Sequence, residues 1–153
     1  MKTKALAINP TINTLIENIR LEIEKGKERA YLAMEKEKTL TYWNVGKHIK
    51  EHLLENEDRA DYGEQVIVQL ANNINISKST LYNSLQFYEE YPNIFHAPGK
   101  LTWTHYTTLL TVSEKKDRKE YEEKTIAKNL STRELQDLIK KDKKPSKNYV
   151  SEA

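Results

Sequence analysis

The sequence predicts an all-α fold, and three observations point there. Apolar residues recur at 3.6-residue spacing in successive runs, and no stretch shows the period of two that a half-buried strand requires. Glycine and proline number four each, too few for the turns of a many-stranded sandwich. Apolar residues make up 37% and charged residues 31% of the chain, and the mean hydropathy is −0.81, which suits thin helical layers with one wet face each.

The elements follow in order. Residues 1–10 read as a flexible N-terminus, with Pro10 just before a helix. Ile12, Leu15, Ile16, Ile19 and Ile23 then form a stripe, Gly26 bends or interrupts it, and Tyr31, Leu32 and Met34 carry an apolar face on toward Lys38. Leu40, Trp43, Val45, Ile49, Leu53 and Leu54 form a second run around Gly46. A mid-helix glycine costs roughly 1 kcal/mol against alanine, so Gly46 predicts close approach of another backbone. Asp61 and Glu64 have the spacing of an N-cap and its returning carboxylate, ahead of Val66, Ile67, Leu70, Ala71 and Ile74. Asn75 suits a left-handed turn, and Ser77 caps a helix carrying Leu81, Leu85, Phe87 and Tyr88 up to Pro92. Thr102 caps a helix within Leu101 to Val112, Ser113 caps the next, and Ser131 with Glu134 forms a capping box for Leu135, Leu138 and Ile139. The helical domain therefore spans 11–140, and 141–153 reads as a disordered lysine-rich tail.

Composition excludes several classes of function. Without cysteine there is no disulfide framework, thiolate metal site or cysteine nucleophile. No apolar run approaches the length of a membrane span, and Met1 to Ala7 lacks the apolar core of an export signal, so a soluble cytoplasmic protein is expected. The net charge of +2 is too small to announce a nucleic-acid binder. Its surplus sits in Lys140, Lys141, Lys143, Lys144 and Lys147, a run that reads as a solvated tail or as a phosphate-seeking one.

The most informative stretch is Leu70 to Leu85. A helix-turn-helix needs a small residue where its helices cross, a left-handed residue four positions later, an apolar plug next, and buried aliphatics about five and nine positions further on. Those slots hold Ala71, Asn75, Ile76, Leu81 and Leu85, placing the motif at about 64–91. Ser77 is a cap and a phosphate donor. Lys78, Ser79, Thr80, Tyr82, Asn83 and Gln86 form the outward face, all able to hydrogen-bond and none acidic. A major-groove helix keeps carboxylates from phosphates, and Asn and Gln read adenine through two hydrogen bonds. A helical hairpin with a polar face satisfies the same spacing.

Several blocks together resemble the N-terminal domain of the YhcG-type family. They are Leu40 with Tyr42-Trp43, Val45-Gly46 and Ile49; Tyr62-Gly63 with Val66-Ile67 and Leu70; and Ser77 with Leu81 and Phe87 to Pro92. Leu101 to Tyr106 with Leu109-Leu110, then Arg118, Tyr121 and Ser131 to Leu135 with Ile139, complete the set. The resemblance covers about residues 11–140 and implies a helical domain with a helix-turn-helix-like core. A PD-(D/E)XK nuclease domain normally follows it in that family, and nuclease activity is not carried over to this chain. Glu122-Glu123-Lys124 fits a literal E-x-K but reads as helix, without a strand or a partnered aspartate. A weaker likeness runs to the helix-turn-helix region of ParB-type partition proteins, through His105 with Leu109-Leu110 and through Leu130 to Leu135.

The remaining chemistry-bearing residues favour plain readings. Trp43 and Trp103 lie on apolar stripes and read as core. His48 and His52 stand four apart without a zinc pattern around them, and His105 reads as bonding a backbone carbonyl near Trp103. Neither a catalytic triad nor a phosphate loop can be placed, so no enzyme, cofactor or metal is expected. Two functions stand side by side. One is a non-catalytic, nuclease-associated domain that docks Ser77 to Tyr91 on double-stranded DNA, with Arg133 and the lysine tail on phosphate. The other is a protein–protein module that forms a homodimer through Ile16, Ile19, Ile23 and Tyr31 of the N-terminal helices, or docks there on a separate nuclease subunit.

Overall fold

The computed structural model describes the backbone of residues 9–56, 60–93 and 101–152, and the side chains of 9–56, 61–93 and 101–142. These residues form six helices: α1 (Pro10–Glu55), α2 (Ala60–Ile74), α3 (Lys78–Glu90), α4 (Trp103–Leu109), α5 (Lys115–Lys128) and α6 (Thr132–Glu152). No strand occurs among the described residues, so the all-α expectation holds. The N-terminus expected to be flexible and the loop bracketed by Pro92 and Pro98 fall largely outside the described residues.

The chain divides into two compact units, Met1–Glu35 and Lys36–Ala153. In the first, Asn9 starts α1 by accepting the Ile12 N–H at 2.8 Å, with Pro10 at the first helical position, where its missing N–H costs nothing. Sequence pattern suggested a break near Gly26, yet α1 continues as one helix of 46 residues. A single glycine lowers helix stability without forbidding helical dihedrals. The exposed pairs Glu17–Arg20 and Glu24–Lys27 support this segment by a few tenths of a kcal/mol each.

The second unit holds two apolar clusters. Ile49, Leu53, Ile67 and Leu81 form one, with Val45, Leu70, Ala71, Ile76 and Leu85 packed against it. The other joins Trp43, Phe87, Trp103, Tyr106, Leu109, Leu135 and Ile139. Phe87 is fully buried at its centre, its ring 4.6 Å from Tyr106 and 5.3 Å from Trp103 between ring centres. Trp43 Nε1 donates to the Tyr91 carbonyl at 2.8 Å, fixing α1 against the end of α3.

Between the clusters α1 meets α3 backbone to backbone. A methyl group added at Gly46 would overlap the Ser84 carbonyl oxygen and crowd Tyr88 Cβ. The close approach expected of Gly46 is therefore present. Ser84 is small and fully buried, and its hydroxyl donates to the Thr80 carbonyl at 2.8 Å.

Four boundaries differ from the sequence reading. Asp61 is not an N-cap: α2 already includes Ala60, and the Asp61 carboxylate serves the positive end of the helix dipole from within the first turn. Ser113 does not cap α5. Arg118 Nε and Nη2 both donate to the Val112 carbonyl, at 3.1 and 2.9 Å, which draws the chain in so that Glu114 becomes the N-cap residue without a side-chain cap bond. The helix expected within Leu101 to Val112 is only Trp103–Leu109, because its end tightens through Thr111 N–H to Thr108 and Val112 N–H to Leu109. Finally, the α6 backbone runs helical past 141 to Glu152, beyond Leu138 and Ile139 of its apolar stripe. The side chains of Lys143, Lys144 and Lys147 lie outside the described residues.

Gly46→Ala should destabilise the protein by about 1–3 kcal/mol in urea unfolding, from overpacking against Ser84. Helix propensity alone would stabilise that variant by about 1 kcal/mol, so a gain in stability would show that the helices separate at no cost.

Arg118 is buried and ion-paired with Glu90. Arg118→Met should cost about 3–5 kcal/mol by leaving that carboxylate and the Val112 carbonyl without their partner, and Glu90→Gln in the same chain should recover part of the loss.

Candidate nucleic-acid interface

The turn between α2 and α3 is built from local chemistry. Asn75 adopts φ 55°, the left-handed conformation that asparagine tolerates best after glycine. Ile76 drops into the apolar cluster beside Leu81, and Ala71 and Leu85 pack on the same cluster. Asn75, Ile76 and Leu81 are thus placed as the spacing expects, Ala71 and Leu85 are half-buried, and α2 packs on α3.

Ser77 is the N-cap of α3: its Oγ accepts the Thr80 N–H at 3.1 Å and lies 2.8 Å from Thr80 Oγ1. Thr80 is half-buried and belongs to this cap more than to the outer face. Lys78 and Ser79 are exposed, Tyr82 is 44% exposed, and Asn83 and Gln86 are half-buried. Helical spacing places Lys78, Ser79, Tyr82, Asn83 and Gln86 on one side of α3. Arg133 is exposed in the first turn of α6, which packs on α4 and α5. A cation there opposes the helix dipole, so Arg133 gains nothing from its own helix.

Sequence reasoning missed how the acidic end of α3 is handled. Glu89 pairs with Lys50 of α1 at 2.9 Å, and Glu90 pairs with Arg118 of α5. Both carboxylates are held at the C-terminal end, leaving the helix without acidic residues from Lys78 to Tyr88. The signal lay in two consecutive glutamates where the dipole disfavours them, which calls for basic partners from elsewhere.

The core reading of the two tryptophans holds. Trp43 and Trp103 are buried. His105 bonds a backbone carbonyl, that of Leu130, through Nε2 at 2.9 Å, while its Nδ1 accepts the Thr102 N–H at 3.0 Å. Those two bonds define the neutral Nε2–H tautomer and close a capping box on α4. His52 Nε2 stands 2.9 Å from the Tyr62 hydroxyl, and His48 is exposed. His96 lies outside the described residues. Glu122, Glu123 and Lys124 are on α5, helical as expected.

Residues 18–143 match the family model of the DUF1016 N-terminal domain. The chain belongs to this family. The DUF1016 N-terminal domain is that of the YhcG-type proteins, so the likeness carried by the Tyr42-Trp43, Tyr62-Gly63, Phe87 to Pro92 and Leu101 to Tyr106 blocks is a family relationship. No curated protein and no solved structure matches the chain. Several residues of the blocks that carry the likeness are packing devices: Gly46 at the helix crossing, Trp43 and Phe87 in the core, and Arg118 on Val112. Among the described residues no helix is long and apolar enough to cross a membrane.

Behind α3 the electrostatics are those of a closed core. Burial raises the pKa of Tyr91 and Tyr106, and the Glu122 carboxylate adds to both effects. The Tyr91 hydroxyl is buried and outside hydrogen-bond geometry, so Glu122 acts on it through charge. Glu122 itself is raised above its ordinary 4.5, chiefly by burial. Where α5 faces α6, burial and the 2.7 Å bond to Asp142 push Tyr121 up to about 12.

A carboxyl whose pKa rises on folding favours the folded state below its unfolded pKa, and that advantage is lost as pH rises through the folded value. Glu122→Gln should therefore melt higher than the native chain at pH 7, with the difference closing as pH falls below 4.5. Equal melting temperatures at both ends of a thermal titration would contradict this account.

Proposed function

We propose that this domain is a non-catalytic DNA-binding domain of the cytoplasm, which docks the N-terminal half of α3 in the major groove of a duplex. One observation carries the reading: beyond a left-handed turn at Asn75, α3 presents Lys78, Ser79, Tyr82, Asn83 and Gln86 within a stretch, Lys78 to Tyr88, that has no carboxylates. The exposed start of α3 adds N–H groups and the positive end of the helix dipole, which suit a phosphate oxygen. Asn83 and Gln86 have the amide geometry that reads adenine, and Lys78 supplies charge. Arg133 and the exposed Lys140 and Lys141 provide further phosphate contacts. The YhcG-type relationship supports a role beside a nuclease, with this domain holding the nucleic acid that the nuclease cuts.

A second reading, a protein–protein module, is favoured by the apolar side chains exposed along the first half of α1. The two separate cleanly by experiment. Anisotropy titrations on a labelled duplex at several salt concentrations should show affinity falling steeply with salt. Lys78→Ala should lower the salt slope by about one. Asn83→Ala should cost about 1–3 kcal/mol on the preferred sequence. Both variants should keep the native circular dichroism and melting temperature. No binding by the native chain at low salt, or unchanged binding by both variants, rejects α3 as the reader.

A further inference from the structure

The first half of α1 carries a repeat that the periodicity of 3.6 does not bring out. Ile12, Ile16, Ile19 and Ile23, followed by Gly26, Ala30 and Ala33, alternate steps of four and three residues without interruption. That is the a/d seam of a heptad repeat, with Ile16, Ile23 and Ala30 at a and Ile12, Ile19, Gly26 and Ala33 at d. Tyr31, Leu32 and Leu21 fall off the seam. Ile12 is 41%, Ile19 51% and Ile23 53% exposed, and only Ile16 and Gly26 of the seam are half-buried.

Most helical stability in proteins comes from packing an apolar face, so a helix whose apolar seam stays in water calls for a partner. The ion pairs along it are exposed and worth tenths of a kcal/mol each, so they do not replace a packing partner. The flanking charges say what that partner is. In parallel, in-register helices a g position faces the e position five residues on in the other strand. Here Glu22 faces Lys27 of the second copy, and by symmetry Lys27 faces Glu22. Arg20 lies beside Leu15, and Arg29 beside Met34, so no like charges meet. In the antiparallel arrangement Arg20 would stand against Lys27. We infer that the seam from Ile12 to Ala33 pairs with the same seam of another copy of this chain, parallel and in register.

The contacts that Glu22 and Lys27 make within one chain, to Arg29 at 3.4 Å and to Glu24 at 3.6 Å, are loose and exposed, so exchanging them for partners across the seam costs little. This inference does not depend on DNA binding, and its test does not use DNA.

Light scattering on the full chain through the micromolar range should give twice the 17.9 kDa chain mass, or three times, since isoleucine at both a and d also accommodates a third strand. Ile16→Glu with Ile23→Glu should return the mass to that of one chain without changing the near-ultraviolet signal of the second unit. Leu21→Glu with Leu32→Glu, off the seam, should leave the assembly intact. Because the chain has no cysteine, Ile16→Cys reports orientation directly. Mild oxidation should join two copies in the parallel register, whereas an antiparallel seam sets residue 16 far from its equivalent. A native chain of single mass, an assembly that survives the seam charges, or doubled mass without the cross-link would each overturn the inference.

Discussion

The crossing of α1 and α3 at Gly46 and Ser84 is the constraint from which the second unit is built. Neither residue has a side chain that holds the backbones apart, and the Ser84 hydroxyl is satisfied within its own helix. The approach lets α1 supply Trp43 to one apolar cluster and Ile49 and Leu53 to the other, while α3 supplies Phe87 and Leu81 to the same two. Both clusters share these two helices as walls. A wider crossing would open both together, so a glycine unfavourable to helix formation is retained in the middle of a long helix.

The same geometry organises charge along α3. Its first turn is open to solvent and carries a lysine, whereas its last turn carries two glutamates that the helix dipole disfavours. Lys50 and Arg118 neutralise those glutamates from two other helices. The outcome is a helix with an anion-friendly end facing water and an anion-bearing end held against its neighbours. The arrangement depends on tertiary structure, since α3 alone would present its acids as freely as its amides.

How much of this could be read from the residues depends on the range over which each feature is decided. The turn at Asn75, the cap at Ser77, the capping box of Ser131 with Glu134 and the apolar plug at Ile76 are settled by neighbours within a few positions, and all were legible. Gly46 was legible as an anomaly, though its partner was not. Ser113 was assigned as a cap from residue type, and Asp61 from its spacing to Glu64. The first was displaced when Arg118 gripped Val112, a contact without a local signature. The second lies one residue inside its helix, a difference that pattern does not resolve. At the candidate interface the chemistry of the face was visible, but the half-burial of Asn83 and Gln86 and the commitment of Thr80 to the cap were not. Exposure is set by what packs alongside.

The placement of the two indoles has a spectroscopic consequence. Trp43 and Trp103 are the chain's only tryptophans, and both belong to the cluster centred on Phe87. Their emission therefore reports the integrity of that cluster, while the one beneath the Asn75 turn holds no tryptophan and has Tyr62 packed against it. Divergence between emission and far-ultraviolet ellipticity during denaturation would reveal whether the two halves melt in concert or in sequence.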